Sequence, residues 1–157
     1  MPVAVSFAGR DLRLNGMGLR REKVLFKAYV IALYLEEPTT NARVAIQTDK
    51  AKHIVITMLR NVGRERFVEA MEAGIKRNSK PAMSTLRARL DLLEQAVPDL
   101  AKGDVIDLTW VPDAGTLVHC HGGTMAIPGK DLADALFAVW LGPNPVEATL
   151  KRELLGE

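Results

Sequence analysis

Residues 14–36 read LNGMGLRREKVLFKAYVIALYLE, and this stretch determines the fold more than any other part of the chain. Gly16 and Gly18 predict a sharp turn, because glycine adopts positive φ angles without a steric cost. Two arginines follow at once. Residues 24–35 are rich in aromatic and β-branched side chains and have one charged residue, a lysine, which predicts a strand that is packed on both faces. The stretch therefore predicts a turn that delivers an arginine to an apolar cleft.

The rest of the sequence predicts strands and helices in separate groups. Further strands are expected at 3–7, 12–14, 44–47, 54–59, 105–111, 116–120 and 124–127. Apolar residues at steps of three and four predict helices at 63–78, 83–96, 130–141 and 145–154. This grouping indicates an α+β fold, a mostly antiparallel sheet with helices packed on one face. A chain of 157 residues fits a single domain over residues 1–157.

Composition limits the partners and leaves the compartment open. The net charge of +2 comes from 21 basic and 19 acidic residues spread along the chain, so no nucleic-acid partner is expected. The apolar run of the opening stretch is shorter than the roughly 20 residues of a membrane span. We expect a monomer. Residues 1–10 lack the pattern of a signal peptide, so the protein is periplasmic if one was trimmed and cytoplasmic otherwise.

The order of several motifs resembles the chalcone isomerase-like family, which has bacterial members and includes plant chalcone isomerases and plant fatty-acid-binding proteins. Residues 14–36 resemble the family's arginine-containing turn and the strand that ends in Tyr-Leu-Glu. HIVITMLR (53–60) resembles the strand before its first cleft helix, and KGDVIDLTWVPDAGTLVHCH (102–121) resembles its hairpin. The tail DLADALFAVWLGPNPVEATLKRELL (131–155) resembles two helices joined by a Leu-Gly corner. This resemblance implies an open-faced β-sandwich.

The resemblance also implies a role for an arginine. In the plant isomerases the turn arginine is catalytic, and in the plant fatty-acid-binding proteins the matching arginine holds a carboxylate. A guanidinium suits this role because its planar fork forms paired hydrogen bonds with a carboxylate. The alignment of the turn needs a gap, so either Arg20 or Arg21 takes this position. The alternative is that both are solvated charges beside a strand.

Most of the other polar groups of the isomerases are replaced in this chain. Phe67 stands at the position of the catalytic tyrosine, and Leu59 and Gly74 replace a lysine and an asparagine. Val139 replaces a serine or threonine that recognises substrate hydroxyls, and Tyr29 replaces a threonine. A cyclase must stabilise an enolate and guide a phenolate, and a cleft with one arginine supplies little proton transfer. Such a cleft is better suited to an acyl chain.

Three functions remain open on this basis. The favoured one is non-catalytic binding of a fatty acid or similar apolar carboxylate, with the carboxylate on Arg20. The tail would lie between sheet and helices, in a cleft lined by Phe26, Ala28, Tyr29, Phe67, Met71 and Val139. The second is an intramolecular lyase or isomerase of the chalcone isomerase type on an unknown substrate, using Arg20 with Tyr29 or Tyr34. The third is a scaffold or interaction protein without a ligand.

His119, Cys120 and His121 are candidate ligands of a metal ion. Two imidazoles at alternate positions of a strand share one face. His53 is the only other histidine, and closed zinc sites need four ligands while open ones need three. The sequence therefore predicts no metal and no cofactor.

Overall fold

The computed structural model of the chain describes residues 2–22, 26–79 and 83–157. Within these residues the chain forms seven strands in one sheet and five helices. The elements in chain order are β1 (Ala4–Phe7), β2 (Arg10–Glu22), β3 (Phe26–Leu35), α1 (Ala42–Gln47), β4 (Lys52–Met58), α2 (Arg64–Ser79), α3 (Met83–Ala96), β5 (Val105–Val111), β6 (Gly115–Cys120), β7 (Gly123–Ile127), α4 (Lys130–Leu141) and α5 (Ala148–Leu154). The strand order in the sheet equals the chain order, and all neighbouring strands are antiparallel. The predicted α+β architecture is confirmed.

The helices cover one face of the sheet. Alternate residues of β3 point to opposite faces, so Ile31 and Leu33 join the main core with the helices, while Ala32 and Tyr34 join a smaller cluster on the other face. We call this second surface the open face. The main core depends most on α4, whose Phe137 and other apolar side chains are buried along its length. Apolar burial against α4 therefore holds sheet and helices together.

The predicted turn at Gly16 and Gly18 is wrong. Both residues lie inside β2, which pairs with β3 on either side of them, and neither has a positive φ angle. They are small because α5 lies directly on this part of the strand. A Cβ atom on Gly16 would overlap the backbone carbonyl of Glu153, and one on Gly18 would lie 2.6 Å from Cδ1 of Leu150. The glycines therefore allow a close approach of helix and strand.

Asn15 fixes the end of α5 against the same strand. Its side-chain amide donates hydrogen bonds to the carbonyl oxygens of Leu154 at 2.8 Å and Thr39 at 3.0 Å. Its side-chain oxygen accepts the backbone N–H of Thr39 at 2.8 Å. One asparagine thus joins β2, α5 and the loop before α1.

The second wrong prediction concerns residues 44–47, which belong to α1 and not to a strand. The side chain of Asn41 caps this helix by accepting the backbone N–H of Val44 at 3.1 Å. Ala42, Ala45 and Ile46 lie at helical spacing and pack on the main core. The alternation of residues over so short a run resembles that of a strand, and only the asparagine before it signals a helix.

Other predicted bounds need small changes. Residues 24 and 25 of the predicted long strand lie outside the described part of the chain, and β3 begins at Phe26. The last helix begins at Ala148 instead of residue 145. The predicted helix at 130–141 coincides with α4, because its apolar pattern is continuous over that range.

Because α5 packs closely on β2, adding one methyl group at Gly16 should lower the stability of the fold. Gly16→Ala should lower the free energy of unfolding by roughly 1–3 kcal/mol, because the new Cβ forces helix and strand apart. Gly123→Ala is the matched control, since a Cβ there would lie 3.7 Å from its nearest neighbour, and it should change the value by less than about 0.5 kcal/mol. Urea denaturation measures both. Equal stabilities of the two variants would contradict this packing.

On the open face, His53 is buried in its neutral form. Its side chain lies 2.7 Å from the hydroxyl of Thr109, and its ring packs on Phe7 and Tyr34 with centroid distances of 4.4 and 5.5 Å. Burial lowers the pKa of His53 from 6.5 to about 4. The unfolded chain therefore binds a proton between these pH values that the folded protein excludes.

This pKa predicts a loss of stability in acid. The contribution of neutral His53 is complete above pH 6.5 and is lost as the pH falls to about 4. We expect the wild type to lose roughly 3 kcal/mol more than His53→Gln between pH 7 and pH 4. Urea denaturation at several pH values gives both curves, and parallel curves would show that His53 is not buried neutral.

Candidate functional site

A cavity of about 80 Å³ lies between the sheet and α2. Its lining contains five residues that the sequence predicted for a cleft: Arg20, Ala28, Tyr29, Phe67 and Met71. It also contains Glu22, Met58, Val62, Arg66, Ala70 and Val146, which were not predicted. Arg20 on β2 and Tyr29 on β3 are cross-strand partners, and α2 supplies Phe67 and Met71 one turn apart. The sheet register and the helical repeat thus bring these side chains together.

Two predicted site residues lie elsewhere, and the prediction is corrected for them. Val139 is fully buried between α4 and α2, where a Cβ on Gly74 would lie 2.7 Å from its side chain. Tyr34 lies on the open face, and its hydroxyl donates a hydrogen bond to the carbonyl oxygen of Pro2 at 2.7 Å. It therefore cannot act together with Arg20. The side chain of Phe26 lies outside the described part of the structure.

Of the two neighbouring arginines, Arg20 lines the cavity and Arg21 is exposed. The side chain of Arg20 is 20% exposed, and its Nη1 lies 3.2 Å from Oε1 of Glu147. Arg20 also donates to the backbone carbonyl of Arg21. The β2–β3 register shifts between the two arginines, so they do not continue a simple alternation. Of these two neighbours, Arg20 is therefore the one at the cavity.

A second ion pair lies at the same cavity. Arg66 on α2 donates to Oε2 of Glu22 at 3.0 Å, and Arg60 lies 3.9 Å from the same oxygen. Arg20 and Arg66 therefore each have an internal carboxylate, Glu147 and Glu22. The pairing matters most for Arg20, whose side chain is 20% exposed, because a partly buried charge needs a partner, whereas Arg66 is exposed.

The Tyr29 hydroxyl is held inside the core. It accepts the indole N–H of Trp140 at 2.9 Å, and the residue is 7% exposed. Burial raises the pKa of Tyr29 to about 12, so the hydroxyl keeps its proton at neutral pH. Among the described residues its own hydrogen has no acceptor. Tyr29 can therefore donate a hydrogen bond but is a poor base, and Phe67 beside it has no hydroxyl.

A larger open groove of about 630 Å³ lies between α1 and α4. None of the predicted site residues line it. Asp134 at this groove is bound by Lys52 at 2.6 Å and by Lys130 at 2.8 Å. Lys52 is fully buried, and burial lowers its pKa from 10.5 to about 8 despite Asp134. Lys52, Lys130 and Asp134 thus form an ion cluster at one side of the groove.

The histidines have separate partners. His119 lies 2.7 Å from the hydroxyl of Thr124, and His121 lies 2.8 Å from Asp104, while His53 is on the open face. In the part of the chain that the structure describes, no group of three or more His, Cys, Asp or Glu side chains is placed to hold a metal ion. Over the same residues, no helix combines the length and the apolar character of a membrane span.

Comparison with known proteins identifies the family. The sequence pattern of the chalcone isomerase-like family matches residues 1–156, so the chain belongs to this family. A fatty-acid binding protein from Arabidopsis thaliana has a similar crystal structure, with a TM-score of 0.74 and 16% sequence identity. The alignment covers 99% of this chain and 90% of the Arabidopsis chain, and at this identity it shows a shared fold. A search of curated proteins finds no match.

Sequence reasoning missed the charged partners at the cavity. Glu147 pairs with Arg20 across 127 positions of the chain, and a contact of this kind leaves no local pattern. Arg66 has one weak signal, since it directly precedes Phe67 on α2. No sequence pattern indicates the hydrogen bond from Trp140 to Tyr29, because an indole N–H gives no indication of its acceptor.

Proposed function

We propose that this protein binds a fatty acid or similar apolar carboxylate in the cavity between the sheet and α2, without converting it. The observation that carries the proposal is the combination of Arg20 with apolar walls from Ala28, Phe67 and Met71 in one cavity. Arg20 holds the carboxylate, and the acyl chain runs between sheet and helices. The protein does this as a monomer.

The physical reason for an anionic ligand is the position of the arginine. The Arg20 side chain is 20% exposed, so its guanidinium has lost much of its contact with water and needs an anion beside it, which is Glu147 in this structure and the ligand carboxylate in the proposed complex. Its planar fork binds a carboxylate with two hydrogen bonds and fixes the direction of the attached chain. The Tyr29 hydroxyl, whose hydrogen has no acceptor among the described residues, lies on the same face of the sheet, which favours an acceptor-rich head group further.

The apolar walls favour an acyl chain as the rest of the ligand. Each buried methylene group contributes about 0.8 kcal/mol, which lets a medium chain offset the cost of association. The cavity of about 80 Å³ is far smaller than the roughly 300–1,000 Å³ of sites for drug-sized ligands. Its walls must therefore move apart when a chain enters.

Binding without conversion is supported by the poor supply of proton-transfer groups. Burial raises the pKa of Tyr29 to about 12, Phe67 has no acidic hydrogen to exchange, and the carboxylates at the cavity, Glu22 and Glu147, are each held in an ion pair with an arginine. The Arabidopsis protein with the same fold is a fatty-acid binding protein, which is in line with a binding role on this scaffold.

Calorimetry on delipidated protein with saturated fatty acids of increasing length tests the proposal. Affinity should rise by about twofold to fourfold per methylene group until the cavity is full. Arg20→Ala should weaken binding by about tenfold or more, because a hydrogen-bonded charge is lost. Arg21→Ala is the matched control, since Arg21 is exposed next to Arg20, and it should change affinity by less than about twofold.

Two outcomes would overturn the proposal. Affinity that does not depend on chain length would show that no acyl chain is buried. Equal losses in Arg20→Ala and Arg21→Ala would show that surface charge, not a held carboxylate, drives binding. Either result would favour the scaffold function.

A further inference from the structure

Glu147 already occupies the guanidinium that the proposed ligand needs. Its Oε1 accepts a hydrogen bond from Nη1 of Arg20 at 3.2 Å and from the backbone N–H of Arg21 at 3.2 Å. The two side chains are 20% and 24% exposed, so the pair is partly shielded from water. A ligand carboxylate and Glu147 would therefore compete for the same donors.

Glu147 is not used to cap the helix that follows it. It stands at the position before α5 with an extended backbone, and its side chain makes no hydrogen bond to the helix. Helix caps at this position are usually Ser, Thr, Asp or Asn. The carboxylate of Glu147 instead reaches Arg20, which indicates that the ion pair is the main contact of this side chain.

The residue before Glu147 forms part of the cavity wall. Val146 lines the cavity wall, and its backbone N–H donates to the carbonyl oxygen of Val139 at 2.9 Å. The pairing of Glu147 with Arg20 therefore holds a cavity wall and the cation together. This arrangement agrees with the small cavity volume of about 80 Å³.

The geometry points to Glu147 as a built-in competitor that lowers the affinity of the site for an anionic head group. The inference rests on the proposed function. A ligand carboxylate must replace Glu147 on Arg20, so the guanidinium stays neutralised and Glu147 is released towards water. A ligand with a neutral head does not compete for Arg20, and the internal pair stays in place. Glu147 thus weakens the binding of an anion and leaves the binding of an alcohol of the same length unchanged.

The test compares decanoate with 1-decanol by calorimetry on delipidated wild-type and Glu147→Gln protein. Removing the competing charge should tighten decanoate binding by about threefold to tenfold. Affinity for 1-decanol should stay within about twofold, because the alcohol does not compete for Arg20. Glu37→Gln is the matched control: it removes one carboxylate from the exposed pair with Lys50, and it should change neither affinity.

The outcomes separate this inference from the proposed function. Unchanged or weaker decanoate binding in Glu147→Gln would contradict the competitor role alone. Equal gains for decanoate and 1-decanol would also overturn it, because Glu147 would then act only as a latch on the cavity wall. If neither wild type nor variant binds decanoate, the proposed function fails and the inference fails with it.

Discussion

The close approach of α5 to β2 is the constraint on which the rest of the site depends. It requires two positions without side chains, Gly16 and Gly18, and it is fixed by the hydrogen bonds of Asn15 to the end of the helix. Because α5 begins directly after Glu147, this packing also sets where that carboxylate lies. A glycine pair in a strand therefore determines the electrostatics around Arg20, two residues further along the same strand.

The cavity must accommodate both apolar walls and a charged arginine, and these two requirements oppose each other. Apolar walls favour an acyl chain, but they also remove water from Arg20, and unpaired buried charges are costly. The protein meets the second requirement with its own carboxylate, because Glu147 pairs with Arg20, while the exposed Arg66 pairs with Glu22. Ligand binding becomes an exchange of one anion for another, so the ligand carboxylate gains only the difference between its own interaction with Arg20 and that of Glu147.

The sequence predicted those features that depend on long apolar patterns. The helix at α4 was predicted with its observed bounds because its apolar repeat is continuous. Family resemblance indicated Phe67 and one of the two arginines, and in the structure Arg20 and Phe67 lie together at the cavity. The glycine pair was misread because glycine serves both turns and close approaches, and the residues it must accommodate are far away in sequence. Glu147 was missed for the same reason, since its partner lies across the fold.

Binding of a carboxylate at Arg20 is tested most directly by a crystal structure of the protein with an ω-brominated dodecanoate. The bromine marks the end of the acyl chain by anomalous scattering. We predict a carboxylate oxygen about 2.7–2.9 Å from the guanidinium of Arg20, with the side chain of Glu147 turned away from it. The bromine should lie between the sheet and α2. A carboxylate bound away from Arg20, for example in the groove between α1 and α4, would show that Arg20 does not hold the ligand.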